Sequence, residues 1–171
     1  MIEEPFLIEH PTYEDHRGIF CPSPIIGYHK WVQSNTSTST QKYTVRGLHF
    51  QLAPFEQRKY LKVISGRIHS MILCIDPESK IFRKSYDFEV DRNHAVMVPT
   101  GFANGLITLE ENTVIQYFVD NPYSPESERS IAYDSVEEFK QLVESLTETV
   151  VISEKDKYAI SADEYLKINT L

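Results

Sequence analysis

The chain has 171 residues, 41% hydrophobic and 25% charged, a composition that excludes a disordered chain and suits one domain over 1–171. Its formal net charge of −8 argues against nucleic-acid binding, which needs a basic face, although a single cleft can still be basic. No apolar run approaches the roughly 20 residues of a membrane helix. The opening "MIEEPFLIEHP" lacks the pattern of a secretion signal, and Cys21 and Cys74 are widely spaced, so free thiols and a cytoplasmic location are expected.

Taken in order, the low-complexity patch "SNTSTSTQ" (34–40) reads as a flexible loop. From about residue 43 to 120 short strands follow one another between turns. "VRGLHFQ" (45–51) is a strand carrying an arginine, a glycine and a histidine. On an ideal strand Arg46, Leu48 and Phe50 share one face, and Gly47, His49 and Gln51 the other. Arg46 and His49 can then serve one site only if the chain twists or bulges at Gly47. "RKYLKVIS" stops at Ser65-Gly66 and places Lys59 with Leu61 and Val63, opposite Lys62. "RIHSMILCID" alternates Ile68, Ser70, Ile72 and Cys74 against Met71, Leu73 and Ile75, apolar on both faces as in a sandwich or barrel. "KSYDFEV", "HAVMVP", "ANGLITL" and "NTVIQYFV" continue the series. The expected fold is mainly β, a cupin-like jelly-roll sandwich or barrel with one or a few peripheral helices.

Residues 135–147 break the strand pattern. Val136, Phe139, Leu142, Val143 and Leu146 fall at helical spacing, and Ser135 with Glu138 has the form of a capping box. The tail is expected to return to the β-body at Val150–Ser153 and then to meander.

A cupin-like body with a PxG turn (Pro99-Thr100-Gly101) raises the question of a metal. The H-x-H position reads His49 and Gln51, and the later histidine position reads Asn104. His49 and Glu56 alone make a poor transition-metal site, so neither a metal nor another cofactor is expected.

The motifs "EDHRGIF" (14–20), "QSNTSTS" (33–39), "VRGLHFQ" (45–51) and "QRKYLKVISGRI" (57–68) continue collinearly into "VPTGFANG" (98–105), "YFVDNPYSPESER" (117–129) and "ISEKD" (152–156). Together they resemble the dTDP-4-dehydrorhamnose 3,5-epimerase family, a metal-independent branch of the cupins. The resemblance implies proton transfer at the carbons flanking the 4-keto group of a nucleotide-linked sugar. Such chemistry needs a base, a stabiliser for the enolate oxygen and an acid on the other face of the sugar. By resemblance His49 is the base, Asp156 orients it, Lys59 stabilises the enolate and Tyr117 is the acid. Arg46 and Arg17 match pyrophosphate-binding positions, forked guanidinium groups suiting phosphate oxygens. Phe20 matches an aromatic that stacks on the base from the neighbouring subunit. Gln33, Asn35, Gln51, Asn104 and Tyr123 match other substrate-contacting positions. The resemblance further implies a nucleoside-diphosphate sugar, dTDP-linked, as substrate, and a homodimer exchanging N-terminal strands.

The sequence departs from the family pattern in three places. Asn104 replaces a histidine, Ser70 replaces an aspartate, and "IAYDS" with the following helix replaces a tryptophan-containing connection. These departures are expected to alter the pocket wall. A single-centre epimerase, a 3,4-ketoisomerase and a degenerate nucleotide-sugar-binding cupin therefore remain as alternatives.

Overall fold

In the computed structural model the described residues are 3–23 and 30–168. Two sheets face each other. The first orders β1 (Phe6–Glu9), β9 (His94–Val98), β6 (Lys59–Ser65), β11 (Thr113–Val119) and β4 (Gln33–Ser39). The second orders β12 (Glu128–Ser130), β5 (Thr44–Gln51), β10 (Phe102–Thr108), β7 (Ile68–Cys74) and β8 (Ser85–Val90). All these pairings are antiparallel; the short β13 (Val151–Ile152) adds a parallel contact to β5. A separate hairpin joins β2 (Tyr13–Asp15) to β3 (Gly18–Phe20). This is the expected mainly-β jelly-roll, with three peripheral helices among the described residues: α1 (Glu137–Leu146), α2 (Glu154–Lys157) and α3 (Ala162–Ile168).

The alternation read from the sequence sets three apolar layers. Ile68, Ile72 and Cys74 join Leu61, Val63, Val96 and Ile115 between the sheets. Met71, Leu73 and Ile75 turn the other way, onto a layer closed by Phe139 and Val143 of α1 and by Tyr165 and Leu166 of α3. A smaller cluster around Tyr60, Ala95 and Met97 covers the outside of the first sheet. Burying apolar residues on both faces of β7 is what its unbroken apolar run dictates. Cys21 and Cys74 are free.

Four expectations change. The serine–threonine patch is strand β4, paired with β11 along its whole length from Gln33↔Val119 to Ser39↔Thr113. Its even-numbered residues meet water and its odd-numbered ones face inward, so polarity on both sides records a solvated edge and a polar cavity, not a loop. Helix α1 begins at Glu137 with Val136 as its N-cap, and no capping box forms. The Ser135 hydroxyl instead donates to Ala132 O at 2.6 Å and accepts from Ala162 N at 2.8 Å, tying the helix entry to α3. The tail returns at β13 as expected but then forms α2 and α3 rather than a meander; residues 169–171 lie outside the described residues. Lastly, Ser70 is fully buried between the sheets with Ile68 and Ile72 and lines neither volume of the cavity described below.

Candidate active site

The cavity lies between the two sheets, and its centre is set by a bulge in β5. Across the β5–β10 pair, Asn104 faces His49 whereas Leu106 faces Arg46, so two residues of β5 lie opposite Gly105 alone. Gly47 there has φ of 99°, a backbone conformation suited to glycine. A Cβ on Gly47 would sit 2.8 Å from Asn104 O, and one on Gly105 2.6 Å from Arg46 O. The extra residue turns the alternation over. Val45, Leu48 and Phe50 enter the outer apolar layer, while Arg46, His49 and Gln51 line the cavity.

Two connected volumes of about 500 Å³ and 290 Å³ share His49, Lys59 and Tyr117. His49 comes from the second sheet; Lys59 and Tyr117 come from neighbouring strands of the first. His49 Nε2 lies 2.6 Å from Asp156 Oδ1, and Asp156 Oδ2 accepts from Gly47 N at 3.1 Å. Asp156 occupies the one-turn helix α2, whose Ser153 cap accepts from Asp156 N. Burial pushes the Asp156 carboxyl up, but His49, Gly47 N–H and Ser153 together outweigh it and hold it below the usual carboxylate range. The carboxylate thus orients the imidazole through Nε2.

Lys59 Nζ donates to Asn104 Oδ1 at 2.7 Å. Burial lowers the Lys59 amine to about 8, with the Glu128 charge opposing that fall. Burial raises the Tyr117 phenol; Arg46 pulls it down and Glu128 pushes it up. An imidazole, an amine and a phenol therefore line one cavity, with the imidazole and the phenol on facing sheets.

Around this centre Gln33, Asn35 and Tyr123 line the smaller volume, together with Gln51. Gln33 Nε2 donates to Asn35 Oδ1 at 2.7 Å. The Gln51 amide is engaged by backbone: it donates to Phe55 O and Pro122 O and accepts from Ser124 N. Gln51 thus lines the smaller volume while holding two loops, with both Nε2 protons engaged. Arg46 rests on Ser39 Oγ and Thr38 O at the end of β4. Arg17 and Phe20 are not brought to this cavity. They lie on the exposed β2–β3 hairpin, where Arg17 pairs with Asp15 and Phe20 stacks on Tyr13. No group of three or more His, Cys, Asp or Glu able to hold a metal occurs among the described residues.

A family model described as dTDP-4-dehydrorhamnose 3,5-epimerase matches residues 1–164. The chain belongs to that family. It is 36% identical over 145 residues to the Sinorhizobium fredii dTDP-4-dehydrorhamnose 3,5-epimerase, covering 78% of this chain and 73% of the relative. With the Escherichia coli enzyme it shares 29% over 180 residues, covering 99% of this chain and 96% of the relative. The Legionella pneumophila epimerase, solved in complex with dTDP-4-keto-L-rhamnose, superposes with a TM-score of 0.83 at 30% identity, covering 98% of this chain and 90% of that one. No helix among the described residues is long and apolar enough to cross a membrane.

Within this epimerase-family chain, two charged cavity residues, Glu128 and Lys155, are not singled out by the sequence. Glu128 accepts from Tyr123 Oη at 2.9 Å and from Lys155 Nζ at 2.5 Å. Burial raises its carboxyl, but Lys155, Tyr123 and His49 together bring it below the usual value. Glu128 sits in the "YSPESER" segment, on a strand of three residues, too short for alternation to show that it turns inward.

Proposed function

We propose that this protein epimerises C3, C5 or both of a nucleotide-linked 4-keto-6-deoxy sugar, dTDP-linked, in deoxysugar biosynthesis. The observation that carries the reading is the placement of the His49–Asp156 pair across one cavity from Tyr117, with Lys59 beside it. His49 Nδ1 removes the proton α to the ketone, and the imidazolium formed is balanced by Asp156. The ketone oxygen becomes an enolate that Lys59 stabilises as an ammonium. Tyr117 then protonates the same carbon from the opposite sheet, which inverts it. Arg46 supplies a cation at the cavity rim for the pyrophosphate, and Gln33, Asn35 and Tyr123 meet the remainder of the nucleotide sugar.

Arg17 and Phe20 act in this reading from the partner of a homodimer. Their exposed hairpin lies apart from the cavity of its own chain, as a contribution to a second site requires. One cytoplasmic domain holding one site per chain completes the proposal. A degenerate binding cupin would have His49 and Tyr117 facing different spaces, whereas both line the same one. A single-centre epimerase or ketoisomerase uses the same base and enolate, and the altered wall that would favour either reduces to Asn104.

NMR of dTDP-4-keto-6-deoxyglucose incubated with the protein in deuterium oxide tests the reading. Deuterium should enter at C3, C5 or both with inversion. His49→Ala should abolish incorporation and keep nucleotide binding, while Tyr117→Phe should impair inversion more than the first proton abstraction. Undiminished exchange in His49→Ala would remove His49 as the base.

A further inference from the structure

Asn104 links the two halves of the site. It is the ladder partner of His49 on β10, next to Gly105, which faces the bulge of β5, and its side chain is buried. Its amide oxygen accepts from Lys59 Nζ of the facing sheet. The other charged or titratable groups around Lys59 are each engaged or set apart. His49 is held by Asp156, Arg46 by β4, and Glu128, whose charge still reaches Lys59, by Lys155 and Tyr123. Tyr117 is a neutral phenol, and Val98, the β9 partner of Lys59, is apolar. Asn104 is therefore an uncharged acceptor placed where a carboxylate would neutralise the ammonium and an apolar side chain would leave it unheld. An ammonium has three N–H donors, so one bond to Asn104 leaves two for a substrate oxygen.

We propose that Asn104 is a positioning residue for Lys59: it fixes the ammonium at the waist of the cavity without neutralising it, so that its charge meets the enolate oxygen. The proposal rests on the epimerase reading. The lowering of the Lys59 amine to about 8 is consistent with a cation held by a neutral partner.

The test compares wild type with Asn104→Asp and Asn104→Leu by NMR titration of ε-labelled lysine and by the pH profile of deuterium exchange into the dTDP-4-keto sugar. Asn104→Asp should raise the Lys59 titration by about one unit or more, since an opposite charge in contact favours the ammonium. The basic limb of the exchange profile should move up with it. Asn104→Leu should lower both and reduce kcat roughly 10- to 100-fold through misplacement, with KM nearly unchanged. If the leucine variant fails to fold, the near-isosteric aspartate variant decides alone. A Lys59 titration and basic limb unmoved in Asn104→Asp would overturn the role of Asn104. A wild type that exchanges no substrate proton would instead overturn the epimerase reading on which that role depends.

Discussion

Lys59 is half-buried with its amine desolvated, at a cost in stability. Folding places its ammonium in a desolvated cavity with an amide rather than a carboxylate as its closest partner, and its pKa falls to about 8. The unfolded chain holds the same proton up to about 10.4. Between those values the unfolded state binds more protons than the native state, so this residue's contribution to stability rises with pH. Relative to Lys59→Met, the wild type should therefore gain about 2 kcal/mol in urea unfolding between pH 8 and pH 10. A difference independent of pH would mean that Lys59 is not the titrating group. Asp156 has the opposite sign. Its lowered carboxyl contributes stability above about pH 4, and that contribution is lost as the pH falls through the native value.

At the scale of an element, β5 depends on Gly47. With φ of 99° and Asn104 O at 2.8 Å from a built Cβ, Gly47→Ala meets both backbone strain and a clash. Denaturant unfolding should report a loss of about 3 kcal/mol, and deuterium exchange should fall with it as Arg46 and His49 lose their common face. A stable, active Gly47→Ala would show that the bulge can be relaxed. The bulge was half legible in the sequence: alternation placed Arg46 and His49 on opposite faces, and the glycine between them was the one signal that this could be reversed. Lys59 with Leu61, and Ile68 with Ile72, followed alternation without correction because neither pair has a bulge between its members. β4 was misread because composition was weighed above alternation, and a strand with a polar cavity on one side and water on the other has no apolar face to announce it. Glu128 and α2 were missed because three- and four-residue elements are too short for any period, and their positions depend on long-range bonds such as Lys155 to Glu128.

For the whole molecule, the hairpin β2–β3 poses the remaining question of which cavity it serves. Ile19 and Phe20 are exposed on it and Arg17 pairs locally with Asp15, whereas His49 and Tyr117 lie between the sheets. In the proposed dimer each complete site takes His49 from one chain and Phe20 from the other, a two-fold arrangement in which both sites are equivalent. Mixing two defective variants separates this from a site built within one chain. His49→Ala lacks the base, and Phe20→Ala lacks the stacking ring. In a mixed dimer with exchanged hairpins, one site carries both defects and the other neither. In a dimer without exchange, each site keeps one defect. After unfolding and refolding an equal mixture, random pairing gives half mixed dimers, each with one of two sites intact, so about a quarter of wild-type activity should return. Activity no higher than the mean of the two variants would place Phe20 with its own chain's cavity and leave the hairpin without a role in the partner's site.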